Sequence, residues 1–140
     1  VLTGAPDAVF VARDGTFVIA DYKTARYTKG QDELLPMYEV QLNAYGYIGQ
    51  KCDLAPVSRL ALIYMEPTTD DGAAADPANA RGDGFAIGFT AHVHPVKIDL
   101  GRVEAVLATA RAIYDERLLP EGRLCCRDCV AVEGLVAYAR

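Results

Sequence analysis

Asp7, Asp21 and Lys23 are the residues of this chain whose types and spacing best suit chemistry. Residues two apart in a strand project to the same face, so Asp21 and Lys23 emerge together from an extended segment. Asp7 begins the arm before it, and a short hairpin brings its carboxylate beside that of Asp21. Two carboxylates at the end of a strand pair make a hard-oxygen site suited to Mg²⁺ or Mn²⁺. Such a cation activates water and neutralises charge developing on a phosphate. Lys23 then stands where it helps to orient or deprotonate the water, or stabilises the transition state. Taken singly, the pieces have plainer readings: an Asp-x-Lys triplet often ends a strand, and Asp7 after Pro6 fits a turn.

These residues need elements to position them. Ala8 to Ala12 (AVFVA) and Thr16 to Tyr22 (TFVIADY) read as two strands, joined by the two-residue hairpin signal Asp14-Gly15. Gly30 is expected to end the extended segment. From Asp32 to Gly49 apolar residues recur at helical spacing: Leu34, Tyr38, Leu42, Tyr45 and Ile48. Pro36 is tolerated only in a first turn, which starts the helix proper near Leu35. Gln41 and Tyr45, four apart, share one face of it. A Gln on that apolar surface is either part of a site or a buried cap on a strand edge.

Ser58 to Met65 (SRLALIYM) reads as a strand buried on both faces. Thr68 to Gly84, rich in Asp, Ala, Gly and Pro, reads as a flexible loop. Phe85 to Ile98 supplies one or two strands, with Pro95 marking an edge or a bend. Asp99 is placed to cap a helix with an apolar stripe of Val103, Val106, Leu107, Ala110, Ile113 and Tyr114. Pro120-Glu121-Gly122 stops it. The order β-β-α-β-β-α predicts an α/β fold with a mixed central sheet flanked by helices.

The 140 residues suit a single domain with a real core. No apolar run approaches the roughly 18 residues of a membrane span, and no signal-peptide pattern is present. The expectation is a cytoplasmic protein without a membrane partner. The first residue is Val, so the chain reads as N-terminally truncated. A net charge of −5 argues mildly against a strong non-specific grip on DNA, which counterion release drives. Tyr22 to Gln31, by contrast, holds Lys23, Arg26 and Lys29 and no acid.

Gly4-Ala5-Pro6-Asp7, Asp21-Tyr22-Lys23-Thr24 and Gln41-Leu42-Asn43-Ala44-Tyr45 together resemble the RecB-like branch of the PD-(D/E)XK nucleases. That branch carries G-x-x-D, D-Y-K-T and Q-x-x-x-Y in this order and near this spacing. The resemblance covers Gly4 to Tyr47 directly, and the later strand and helix fit it loosely. It implies a restriction-endonuclease-like fold filling 1–140. Asp7 and Asp21, with the backbone carbonyl of Tyr22, would bind Mg²⁺ or Mn²⁺. Lys23 would be the catalytic lysine, and Gln41 and Tyr45 would position the site or the nucleic-acid strand. Thr24, Arg26 and Lys29 would meet the DNA. The implied activity is DNA phosphodiester hydrolysis, as an exonuclease of repair, recombination or defence, beside a helicase or another domain of a larger protein. Members also often carry a histidine on a helix before the first motif, ahead of where this chain begins. An inactive nuclease-like domain serving nucleic-acid binding or assembly is the alternative.

Four cysteines remain: Cys52, Cys125, Cys126 and Cys129. Without a secretory signal a disulfide scaffold is not expected. Some RecB-like nucleases hold an iron–sulfur cluster with one cysteine ahead of the motifs and three near the C-terminus. Cys125 and Cys126-x-x-Cys129, within 120–140, resemble the start of that C-terminal part. The further downstream cysteine and the upstream one are missing, and Cys52 is out of place. An iron–sulfur cluster, a zinc site and plain structural thiols all stay open. His92 and His94 have no third ligand near them in sequence and read as solvated or core histidines. Neither a G-x-S-x-G elbow nor a Gly-rich phosphate loop is present.

Overall fold

The structure, a computed structural model, describes residues 1–29, 33–52, 54, 56–118, 121–122 and 124–138. Gly30, Asp32 and Pro120, to which boundaries were assigned above, lie outside the described residues. The chain divides into two compact units, Val1–Glu104 and Ala105–Arg140.

The first two strands, β1 (Ala8–Val11) and β2 (Phe17–Lys23), pair antiparallel from Ala8↔Ala20 to Val11↔Phe17. The Asp14-Gly15 signal shares its loop with Arg13, between Ala12 and Thr16. Ala12 N–H meets Thr16 O at 2.8 Å, and Gly15 N–H meets Ala12 O at 3.0 Å, leaving Arg13, Asp14 and Gly15 as the loop. A three-residue loop needs its last residue in the left-handed region, and Gly15 has φ 79°. Asp14 Oδ1 fills the turn by accepting from Thr16 N–H (3.0 Å) and Thr16 Oγ1 (2.7 Å).

Helix α1 (Leu35–Lys51) starts where Pro36 requires, in the first turn. It leads into β3 (Val57–Pro67), which pairs parallel to β2, with Asp21 opposite Leu62 and Lys23 opposite Tyr64. Leu42 of α1 packs with Ile19, Leu60, Leu62 and Tyr64 to form the core. A strand covered on both faces has no reason to alternate, and Leu60, Ala61, Leu62 and Tyr64 of β3 are all buried.

The stretch read as a flexible loop at 68–84 is instead a run of short elements. Asp70 caps α2 (Asp71–Ala75) by accepting from Ala73 N–H at 2.9 Å. Asp76 caps a 3-10 turn, Pro77–Asn79, and β4 (Ala80–Arg81) and β5 (Gly84–Phe85) close a small hairpin. Elements this short contain no full hydrophobic period, and the aspartates that look like loop residues are their caps.

Strand β6 (Phe89–Val96) runs antiparallel to β3 and completes a mixed sheet of order β1-β2-β3-β6. Pro95 lies in this edge strand, where a missing N–H is tolerated. Asp99 Oδ1 accepts from Arg102 N–H (3.2 Å) at the start of α3 (Leu100–Asp115), and Val103 is buried. Asn43 of α1, itself buried, pins the turn into α3. Its Nδ2 donates to Lys97 O (3.0 Å) and its Oδ1 accepts from Asp99 N–H (2.6 Å). The second unit contains a helix for which the sequence reading assigned no element, α4 (Arg127–Tyr138), beginning just after Cys126.

Candidate active site

The sequence-predicted residues Asp7, Asp21, Lys23, Gln41 and Tyr45 come from β1, β2 and α1. The register Ala8↔Ala20, carried one residue further, sets Asp7 opposite Asp21. Asp7 is exposed, Asp21 only 3% so. Tyr22 N–H donates to Asp7 Oδ2 at 2.8 Å and so fixes that carboxylate. In a strand a residue's N–H and C=O leave toward the same neighbour. The Tyr22 carbonyl therefore faces the Asp7 side, just beyond the end of β1.

Asp21 is held from two directions. Gln41 Nε2 reaches its Oδ1 at 3.4 Å, and the same nitrogen donates to Tyr45 Oη at 2.8 Å. Lys23 Nζ pairs with Asp21 Oδ2 and also lies 4.2 Å from the centre of the Tyr38 ring. Oδ2 is buried and accepts no well-formed hydrogen bond among the described residues, so the Lys23 charge is what compensates it. A buried, under-satisfied carboxylate oxygen beside a second carboxylate and a strand carbonyl is the donor chemistry a hard divalent cation takes. The residues present fit such an ion.

Gly4, the first residue of the Gly-x-x-Asp stretch, has a physical reason to be glycine. A Cβ there would stand 2.6 Å from Cε1 and 3.0 Å from Cδ1 of Tyr45. The segment leading to Asp7 thus runs directly against the tyrosine that holds Gln41.

Thr24, Arg26 and Lys29 follow Lys23 and are exposed. Thr24 and Arg26 line a cleft of about 560 Å³ that begins next to Lys23 in sequence. Across it stand Glu66, Thr68, Asp70 and Thr90. Sequence reasoning missed Tyr38 as a partner of Lys23 and missed Glu66 altogether. The only signal was spacing: Glu66 lies two residues past Tyr64 and so on the same face. His92 is not merely solvated, for its Nε2 lies 3.5 Å from Glu66 Oε2.

Cys125, Cys126 and Cys129 are free thiols at the start of α4. The Cys126 thiol is held below its ordinary 9.0, first by the backbone N–H of Cys129, then by the Cys129 side chain and the N–H of Asp128. Among the described residues no three His, Cys, Asp or Glu side chains gather closely enough to hold a metal ion. Among the described residues, then, no third such side chain joins Asp7 and Asp21.

A sequence model of the PD-(D/E)XK nuclease superfamily matches residues 1–131. The chain belongs to that superfamily, and its mixed sheet with accompanying helices is the restriction-endonuclease-like fold. PD-(D/E)XK proteins are usually metal-dependent nucleases that use Mg²⁺ or Mn²⁺ and act on nucleic acid. Comparison with curated proteins and with solved structures returned no significant match. Among the described residues no helix is long and apolar enough to cross a membrane.

Proposed function

We propose that this chain is a RecB-like nuclease domain that hydrolyses DNA phosphodiester bonds, as an exonuclease module of a larger repair, recombination or defence protein in the cytoplasm. The observation that carries the reading is the meeting of three chain segments at Asp21. The Lys23 ammonium, the Gln41 amide and, across the register, the Asp7 carboxylate all converge there. A coincidental Asp-x-Lys at a strand end has no need of a half-buried glutamine tied to a tyrosine one turn away.

In this reading Asp7, Asp21 and the Tyr22 carbonyl hold Mg²⁺ or Mn²⁺. The ion, when bound, supplies Lewis acidity toward the phosphate and lowers the pKa of water at the site. Lys23 carries its positive charge on the Tyr38 face and the Asp21 side, close enough to stabilise charge on an attacked phosphate. Gln41 and Tyr45 keep the Asp21 carboxylate in one rotamer, so that its buried oxygen stays aimed into the site. Thr24, Arg26 and Lys29 contact the DNA backbone beyond it.

The test uses the purified chain with Mn²⁺ and a labelled DNA. Asp21→Asn and Lys23→Gln are expected to remove cleavage by a factor on the order of 10³ or more, with circular dichroism unchanged. Cleavage at the wild-type rate by either folded variant would refute the assignment. Cleavage absent from the wild type, together with no Mn²⁺ binding near millimolar metal, would favour an inactive binding or assembly domain.

A further inference from the structure

Past Lys23 the chain turns back over the sheet, and a small cluster of side chains holds it there. Tyr27 N–H donates to Glu66 Oε2 at 3.3 Å. The Tyr27 ring stacks on His92, with centroids 4.6 Å apart and planes at 13°, and meets Tyr64 at 5.5 Å. Glu66 also lies 3.5 Å from His92 Nε2 and 3.8 Å from Arg26 Nε. The register explains why these groups meet. Tyr64 sits between Lys23 on β2 and His92 on β6, and Glu66 follows two residues later on the same face. Glu66 is thus one carboxylate shared by a backbone N–H, an imidazole and a guanidinium.

This cluster also shapes the cleft. Thr24 and Arg26 form one wall, and Glu66 is the residue of the opposite wall that bonds to the first. We propose that Glu66 and His92 are positioning residues of the nuclease: they clasp residues 24–29 to the sheet and so hold the wall along which DNA leaves the metal site. The inference rests on the nuclease reading above.

The stack on Tyr27, the Tyr27 hydrogen bond and the Arg26 pair act together on the segment. Among the described residues the groups facing His92 are Glu66 and Tyr64 of β3 and Tyr27 of the clasped segment, with Arg26 on the far side of Glu66. The partially exposed pair is worth a small factor, on the order of threefold in DNA affinity.

The experiment measures binding of a fluorescent oligonucleotide to the full chain in Ca²⁺ and, without DNA, exchange of the Tyr27 amide. Glu66→Gln keeps an oxygen for Tyr27 N–H and Glu66→Ala does not, while both lose the charge; His92→Phe keeps a ring for the stack and His92→Ala does not. Kd is expected to be about threefold weaker in each alanine variant than in its conservative counterpart, with faster exchange of the Tyr27 amide. Tyr27 exchange that is the same in Glu66→Ala and Glu66→Gln overturns the clasp, and so does an unchanged Kd in a variant whose Tyr27 amide has been freed. A wild type that binds no DNA overturns the nuclease reading with it.

Discussion

Asn43→Ala isolates what joins α1 to the start of α3. The wild-type side chain makes two hydrogen bonds across that joint, to Lys97 O at 3.0 Å and from Asp99 N–H at 2.6 Å, and one within its own helix to Glu39 O at 2.9 Å. The two crossing bonds are worth about 1 kcal/mol each net. Alanine is the better helix former by about half a kcal/mol, while removing a side chain that is 2% exposed opens a void that opposes this gain. The balance is a loss of about 2 kcal/mol. The same joint carries an ion pair, Arg102 to Glu39 at 3.1 Å, but its side chains are 41% and 35% exposed. Solvent screening holds such a pair under about 1 kcal/mol, so Glu39→Ala is expected to cost less than half as much. Urea unfolding of the two variants decides between them, with an unchanged m-value required for the comparison. If Glu39→Ala is as damaging as Asn43→Ala, the joint is electrostatic and the reasoning fails.

Three further outcomes are expected. Gly4→Ala pushes the Tyr45 ring off its contact with Gln41, and is expected to weaken Mn²⁺ affinity several-fold by titration; an unchanged affinity would show that Tyr45 does not set the Asp21 rotamer. Cys126, whose thiol is held below its ordinary 9.0 by Cys129 and the start of α4, is expected to be alkylated faster than Cys52 or Cys125 at pH 7, as read by mass spectrometry. Asp14 is depressed below its ordinary 3.8, first by the Thr16 hydroxyl and then by the Thr16 N–H. Its contribution to the hairpin is therefore full above the unfolded value and lost as pH falls through the lower folded one. NMR titration is expected to place the Asp14 midpoint below 3.8, and Thr16→Ala to return it upward.

What was legible in the sequence was local. The i, i+2 spacing of Asp21 and Lys23 and the i, i+4 spacing of Gln41 and Tyr45 each act within one element, where period alone fixes the face. The helix start at Leu35 followed from Pro36, and the buried central strand from its unbroken apolar run. The hairpin was legible too: strand ends at Ala12 and Thr16 leave Arg13, Asp14 and Gly15 between them, and those two residues close the loop. The 68–84 elements were missed because capping aspartates and loop aspartates look alike in a row of letters. The partners of the site were missed for a different reason. Gly4 against Tyr45, Lys23 over Tyr38, and Glu66 between Tyr27 and His92 all depend on which strands are neighbours. No period encodes that.

The same distinction resolves the charge argument. A net charge of −5 weighs against DNA binding only if the acids form open surface facing the substrate. Many have local work instead. Asp14 closes a turn, and Asp70, Asp76 and Asp99 cap helices. Glu39 and Asp115 pair with arginines. Asp7 and Asp21 face one another where a divalent cation would add two positive charges and turn their repulsion into attraction. Between the site and the cleft the sequence runs Lys23, Thr24, Arg26 and Lys29 without an acid, and of the two carboxylates that line the cleft with them, Glu66 is shared with His92 and Arg26 and Asp70 caps a helix. The potential that a nucleic acid would meet at this edge is therefore set by where the acids are held and by any cation that joins them, and the formal sum over the chain does not measure it.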